Sequence, residues 1–171
     1  WDNLGYHESG PVSGCMDITA YNYNADAVSE DGSCIYLSDV TIYQIQGQVE
    51  LSPYENLPVR TEGVLTAVDN NGFYLQDGYG PWSGIWVYKN GLDISSLNVG
   101  DEVEVQGYVV EFYGLTEIEA DAFEVLNINA TIPEAAPIST GAFDESYESV
   151  LVELVDVECT TIADEFGDWI V

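Results

Sequence analysis

The sequence of 171 residues contains almost no basic residues: Arg60 and Lys89 accompany 31 acidic residues, and the net charge at pH 7 is -29. Phosphate groups are bound through clustered lysine and arginine, so this balance argues against a nucleic-acid surface and against docking on an anionic membrane. The charge favours cations as partners, and high salt would screen the self-repulsion. We therefore expect nucleic acid to be an unlikely partner.

Long apolar runs and catalytic side chains are also scarce. No apolar stretch reaches the roughly 18 residues that a spanning helix needs, so no membrane span is predicted. The single histidine, His7, lies in an irregular stretch, and a lone histidine is more often a surface or packing residue than a general base. Glycine-rich phosphate-binding motifs are absent. We therefore predict that the protein is not an enzyme.

Cysteine is sparse, with three residues. Cys15 and Cys34 bracket a short polar loop, whereas Cys159 lies far away in an apolar run. An oxidising, extracellular setting fits a disulfide between the first two. No signal peptide is visible, since Trp1 is followed at once by polar residues, so we expect the numbering to begin at a processed, mature end of a secreted or cell-surface protein.

Residues 40–128 alternate apolar and polar side chains with period two, which is typical of strands. Residues 59–67 are the first clear run, and an Asn-Gly pair at 71–72 favours a tight hairpin turn after it. Five strands at short spacing, with turn signals between them, predict an all-β fold with a small barrel. Only residues 93–97 suggest a helical turn.

Composition divides the chain into an irregular start, a Cys-bounded loop, a strand-rich block, a proline-containing linker and a return to the strand pattern. These parts are residues 1–14, 15–36, 37–128, 129–146 and 147–171.

Several segments of the strand-rich block, taken in order, resemble a known module. They include Val59-Arg-Thr-Glu-Gly-Val-Leu-Thr-Ala-Val, Gly72-Phe-Tyr-Leu-Gln-Asp, Gly84-Ile-Trp-Val-Tyr and Val99-Gly-Asp-Glu-Val-Glu-Val-Gln-Gly. They resemble the OB-fold module that accompanies secreted bacterial nucleases of the endonuclease/exonuclease/phosphatase type. The resemblance covers roughly residues 41–128. In that family the module is accessory to a separate catalytic domain, so the resemblance implies a fold more strongly than a function.

The Cys-bounded segment carries a second resemblance, through Gly14-Cys15-Met-Asp17-Ile-Thr-Ala20-Tyr-Asn22-Tyr23-Asn24-Ala-Asp26-Ala27 and Asp31-Gly32-Ser33-Cys34-Ile-Tyr36. It is similar to a repeat of marine bacterial surface proteins that looks related to thrombospondin type 3 calcium loops. Calcium takes about six to eight oxygen ligands from a flexible loop. We therefore predict a Ca²⁺ cofactor, and the candidate ligands are Asp17, Asn22, Asn24, Asp26 and Asp31. The alternative is that these side chains only cap turns.

Residues 147–171 resemble the opening hairpin of the strand-rich block, as if a second barrel began there. A two-stranded apolar hairpin is not stable alone, and its edges invite pairing with another chain. Three explanations stay open. The chain is truncated, the hairpin packs on its own barrel, or another subunit completes it by strand addition.

Strand addition between copies is the explanation that gives a role to every part of the chain. We therefore predict a non-catalytic, extracellular structural subunit. It would assemble head-to-tail into a surface filament or matrix polymer and would be stabilised by calcium. Its partners would be further copies of itself. The residues assigned to the contact are Asp2, Leu4, Tyr6, Val150, Val152, Leu154, Trp169 and Ile170. The alternative is an accessory module of a secreted nuclease or other hydrolase that binds carbohydrate or nucleic acid.

Aromatic residues of the barrel could serve that alternative, because OB-folds bind single strands by stacking bases on aromatic rings. The candidates are Tyr74, Tyr79, Trp82, Trp86, Tyr88, Tyr108, Phe112 and Tyr113. Core packing and interfaces are the expected role of most of them.

Overall fold

The computed structural model describes residues 10–155 and 157–158. The chain forms two compact units, Trp1–Ser38 and Asp39–Val171. No helix among the described residues has the length and apolarity to cross a membrane.

The first unit is a short loop structure closed by a disulfide. Its two strands, β1 (Ser13–Gly14) and β2 (Ser29–Glu30), pair in parallel. Cys15 and Cys34 are joined, with their Sγ atoms 2.04 Å apart, so the predicted disulfide is confirmed.

The second unit begins with a strand and a helix that the alternating pattern did not predict. β3 (Ser38–Asp39) is followed by α1 (Ile42–Gln46), a helix of five residues. Thr41 caps its first turn reciprocally with Gln44, and Gly47 ends it with a positive φ of 63°. The helix buries Ile42, Ile45 and Gln46, so it is held by packing against the barrel as much as by its caps.

Five strands form the barrel: β4 (Pro58–Val68), β5 (Gly72–Gln76), β6 (Gly84–Tyr88), β7 (Glu102–Phe112) and β8 (Leu115–Asn127). Their order in the sheet is β4-β5-β6-β8-β7, and β7 also pairs with β4, which brings the two ends of the sheet together. β6 and β8 run parallel, and the other neighbours are antiparallel. This topology is that of an OB-fold, as predicted.

The core lies inside the barrel and follows the alternation of the sequence. In β7, the side chains of Val103, Val105 and Val109 are fully buried, whereas Glu104, Gln106 and Tyr108 are half-buried. Ile42 and Ile45 of α1 belong to the same apolar cluster as the barrel side chains. The period-two pattern therefore predicts the inward face correctly.

The residues that follow the barrel strands also belong to the second unit. β9 (Ala136–Ile138) and β10 (Val152–Leu154) pair in parallel, and a 3-10 helix, Glu145–Tyr147, lies between them in sequence. β9 lies inside the predicted linker. Of the residues assigned to a contact between copies, Val152 and Leu154 pair within the chain and Val150 is buried in it. Asp2, Leu4, Tyr6, Trp169 and Ile170 lie outside the described residues, as does the second half of the predicted hairpin.

Candidate functional site

Two aromatic side chains stand together on the outer face of the second and third barrel strands. Tyr74 of β5 and Trp86 of β6 are partners in the strand register. Their ring centroids are 4.6 Å apart and the rings are tilted by 55°. Both residues are half-buried, so each ring keeps an exposed part. The face offers flat apolar surface to a ligand.

Glycine makes room for this arrangement. A β-carbon on Gly72 would lie 2.7 Å from Cζ2 of Trp86, so the indole lies against the backbone of β5. Gly72 pairs with Tyr88 in the register, and Tyr88 is 38% exposed. The row of rings therefore continues from Tyr74 and Trp86 towards the end of β6, where Lys89 follows. We call Tyr74, Trp86 and Tyr88 the aromatic face.

Carboxylates border the aromatic face along β8. Glu117 is the register partner of Trp86, and Glu119 is the partner of Tyr88. Burial raises the pKa of Glu117, which is 5% exposed, and repulsion from Glu119 raises it further. Acidic side chains therefore lie beside the aromatic face in the strand register.

The remaining aromatic candidates lie elsewhere. Phe112 and Tyr113 meet edge to face at the turn between β7 and β8, with centroids 4.8 Å apart, and Tyr113 is 96% exposed. Tyr108 on β7 is the register partner of Glu119. Tyr79 lines a groove described next, and Trp82 lies in the turn before β6.

An open groove of about 840 Å³ lies beside β4 and β7. Its one cation, Arg60, lies 3.1 Å from Asp39 and 3.5 Å from Glu104, so its charge is already matched. Asp77 also lines the groove, and its carboxylate accepts a hydrogen bond from Ile42 N at 2.8 Å. Burial raises the pKa of Asp77. Sequence reasoning did not single out this groove, since its residues come from separate strands.

Four of the five predicted calcium ligands accept local hydrogen bonds through a side-chain oxygen, and Asp26 takes part through its backbone N–H. Asp17 Oδ1 accepts from Thr19 N, Asn24 Oδ1 from Asp26 N and Asp31 Oδ1 from Ser33 N.

The Asn22 amide is engaged at both ends, since Nδ2 donates to Ser33 O and Oδ1 accepts from Ile35 N. In the described part of the chain, the one group of three metal-type ligand atoms within 4.8 Å is that of Cys15, Glu30 and Cys34, and the two cysteines form the disulfide. Calcium in this loop stays a prediction, and the turn-capping alternative accounts for the hydrogen bonds seen.

Comparison with known proteins gives structural similarity only. No protein-family model matches the sequence, and no curated protein matches it. A replication protein A heterotrimer bound to ssDNA is similar at 20% identity and a TM-score of 0.44, over 53% of this chain and 81% of that chain. The S. pombe Stn1-Ten1 complex is similar at 15% identity and a TM-score of 0.41, over 53% and 76%. The second OB-fold domain of replication protein A from Methanococcus maripaludis is similar at 19% identity and a TM-score of 0.39, over 52% and 94%.

These structures correct two predictions. The similar structures include replication protein A bound to ssDNA and the telomere capping protein Ten1, so the prediction of an extracellular filament subunit is wrong, and its alternative, the accessory module of a hydrolase, is unsupported. The prediction of self-association with nucleic acid as an unlikely partner is wrong as well. Both rested on whole-chain features. Net charge does not describe the local aromatic face, and the apolar strand β10 pairs with β9 of its own chain.

Proposed function

We propose that the barrel binds single-stranded nucleic acid through the aromatic face. The observation that carries the proposal is the Tyr74–Trp86 pair, whose ring centroids are 4.6 Å apart on the second and third barrel strands. In OB-folds this part of the barrel is the usual binding surface for oligonucleotides and oligosaccharides. Unpaired bases have flat apolar faces that stack on aromatic rings.

Stacking can supply affinity without a basic groove. Each base stacked on an aromatic side chain contributes about 1–3 kcal/mol, and the contribution depends little on base identity. Tyr88 extends the row along β6, and Lys89 places one of the two basic residues of the chain at the end of the same strand. The proposal is therefore weak, sequence-tolerant binding.

The charge of the chain gives this binding an unusual salt dependence. Most nucleic-acid-binding proteins release counterions from phosphates and lose affinity as salt rises. Here a net charge of -29 repels the phosphates, and dissolved cations screen that repulsion. We expect affinity to rise with salt and to rise more with Mg²⁺.

Fluorescence anisotropy with a labelled single-stranded thymidine oligomer tests the proposal, in NaCl from about 20 to about 300 mM and with Mg²⁺. Trp86→Ala should weaken binding roughly 5- to 150-fold, which corresponds to one lost stacking contact. Tyr43→Ala is the matched control, because Tyr43 is 49% exposed on α1 and does not belong to the aromatic face. Thermal melting of each variant confirms that it is folded.

A duplex of the same length is the second control, because its bases are already stacked and paired. Equal affinity for duplex and single strand, or an unchanged affinity in Trp86→Ala, contradicts the proposal. So does the absence of binding at every salt concentration. Preference for a neutral oligosaccharide over the oligonucleotide would overturn the assignment of the ligand while keeping the face.

We also propose that the protein is non-catalytic and works outside the cytoplasm. The Cys15–Cys34 disulfide supports an oxidising compartment.

We further propose that the first unit is a calcium loop of the thrombospondin type 3 kind. Melting of the first unit in Ca²⁺ and in chelator tests the loop, and identical curves would contradict it.

A further inference from the structure

The outer side of β5 and β6 is open along only part of its length. Alternate residues of a strand point to the same side, so the register pair Gln76 and Gly84 lies on the same side as Tyr74 and Trp86, at the next outward position. Tyr74 and Trp86 are half-buried, whereas Gln76 is fully buried and Gly84 is buried as well. The aromatic face is therefore covered at the end where Gln76 and Gly84 are paired.

A segment that follows the barrel strands provides this cover: residues 146–151, which we call the strap. The backbone of Ser149 and Val150 lies directly against Gly84. Leu151 N donates a hydrogen bond to Gln76 Oε1 at 2.9 Å. The strap therefore occupies the position on β5 and β6 that adjoins the Tyr74–Trp86 pair.

Further hydrogen bonds tie the strap to the turn before β6 and to β8. Trp82 N donates to Ser146 O at 2.6 Å. Thr116 N donates to Glu148 Oε2 at 3.0 Å, and the hydroxyl of Thr116 donates to Glu111 Oε1 of β7. The strap is thus a docked segment, held to the barrel strands by single hydrogen bonds spread along it.

Docking of the strap carries evident costs. Ser149 has a φ of 57° and Trp82, its neighbour across the contact, has a φ of 65°, and residues other than glycine adopt this left-handed region unfavourably. Ser149 Oγ is buried and lacks a hydrogen-bond partner among the described residues, which is unfavourable for a hydroxyl. Within the strap, Val150 is the one buried residue. The strap is therefore an element that a competing ligand can displace.

We propose that the strap is an autoinhibitory segment of the aromatic face, and that a bound single strand displaces it from Gln76 and Gly84. This inference rests on the function proposed above. Release of the strap frees Gln76 Oε1 from Leu151 N, so that an N–H group of a base can take the place of that donor beside the Tyr74 ring. While the strap is docked, the apparent affinity is reduced by the fraction of molecules in which the face is fully open.

Fluorescence anisotropy with an oligothymidine of about 12 nucleotides tests the proposal, since OB-folds cover roughly 4–16 nucleotides. Val150→Ala removes the buried side chain of the strap, and Gly84→Ala pushes against Ser149, so each should lower the Kd roughly 3- to 10-fold. Ser149→Gly relieves the positive φ and removes the unpaired hydroxyl, so it should tighten the strap and raise the Kd by a similar factor. Gly78→Ala is the matched control, because its added methyl would lie 3.6 Å from Ser83 Cβ, an ordinary contact, and the Kd should not change.

Amide hydrogen exchange gives a second readout. Saturating oligomer should accelerate exchange at Trp82 N and Leu151 N, which hold the strap, whereas binding that leaves the strap docked would slow these amides or leave them unchanged. The proposal is overturned if Val150→Ala and Gly84→Ala, both shown by melting to be folded, bind no more tightly than the wild type. Slower exchange at both amides on binding overturns it as well.

The outcome also separates this inference from the proposed function. If the wild type binds and Trp86→Ala weakens binding, but the strap variants and the two amides show no effect, the aromatic face stands and the autoinhibitory strap does not. If neither the wild type nor any strap variant binds the oligomer, both are overturned. Binding that is measurable only in Val150→Ala or Gly84→Ala supports both.

Discussion

The carbonyl group of Ser149 lies so close to the backbone of Gly84 that a β-carbon at Gly84 would be 2.2 Å from the Ser149 oxygen. It would also be 2.4 Å from the Ser149 carbonyl carbon and 2.7 Å from Val150 N. All three neighbours are backbone atoms, which cannot turn aside as a flexible side chain can. Residues 149–150 are therefore seated directly on the first residue of β6.

Gly84→Ala should lower the free energy of unfolding by about 1–3 kcal/mol, because residues 149–150 must shift away from β6. The control is Gly78→Ala, where the nearest atom would be Ser83 Cβ at an ordinary 3.6 Å. Urea denaturation of both variants makes the comparison. Equal losses of stability in the two would show that the close approach at Gly84 is not the cause.

Glu117→Gln should strengthen binding of a single-stranded oligonucleotide several-fold, because Glu117 is the register partner of Trp86 and repels phosphates near the aromatic face. Glu62→Gln removes the same charge from an exposed position on β4 and should change affinity less. Because burial and Glu119 raise the pKa of Glu117, acidification towards about pH 5 should also strengthen binding in the wild type and less in Glu117→Gln. Anisotropy titrations that rank the two variants the other way contradict this prediction.

Stability should depend on pH through Glu148. The pKa of Glu148 is about 7 in the folded chain against an ordinary value of 4.5, so the folded state holds this proton more tightly than the unfolded state. Ionised Glu148 therefore destabilises the fold above about pH 7, and the penalty disappears as the pH falls towards 4.5. The Tm should rise from about pH 8 to about pH 5, and Glu148→Gln should flatten that rise. A Tm that falls over this interval would contradict the assignment.

Loss of the disulfide should affect the first unit alone. The Cys15–Cys34 bond closes a loop with a sequence separation of 19, which corresponds to about 3 kcal/mol in the chain-entropy model. In Cys34→Ser, amide hydrogen exchange should speed up in residues 10–38 and stay unchanged in β4–β8, because the contacts divide the chain into two units. Faster exchange throughout the barrel would show that the units are energetically coupled.

The barrel could be predicted from the sequence because a long strand such as β7 alternates regularly. In β7 the buried positions fall on every second residue from Val103, which is the pattern that a strand with one inward face must have. Helix α1 was missed because five residues are too few for helical periodicity. A local signal was present nonetheless, since Thr41 and Gln44 have the spacing of a capping box.

The two sites could be predicted only in part. Sequence reasoning identified Tyr74, Trp86 and Tyr88 among eight aromatic candidates, but strand register decides which of them share a face. The meeting of Glu111 and Glu148 at Thr116 gave no signal in the sequence, because folding brings these two residues together in a chain that is rich in carboxylates. The burial of Gln46 could not be predicted either, because nothing in the sequence indicates that this polar side chain is buried.

The pairing of β4 with β7 also constrains the order in which the barrel forms. Pro58 pairs with Tyr108, so closure joins segments that are distant in sequence and requires a large loop to be ordered first. The hairpins β4–β5 and β5–β6 are local and need no such closure, so we expect them to form early, with complete folding on a scale of milliseconds to seconds. Tyr74 and Trp86 would then pair before β8, which carries Glu117 and Glu119, joins the sheet. Stopped-flow refolding should show Trp86 fluorescence changing ahead of amide protection in β8.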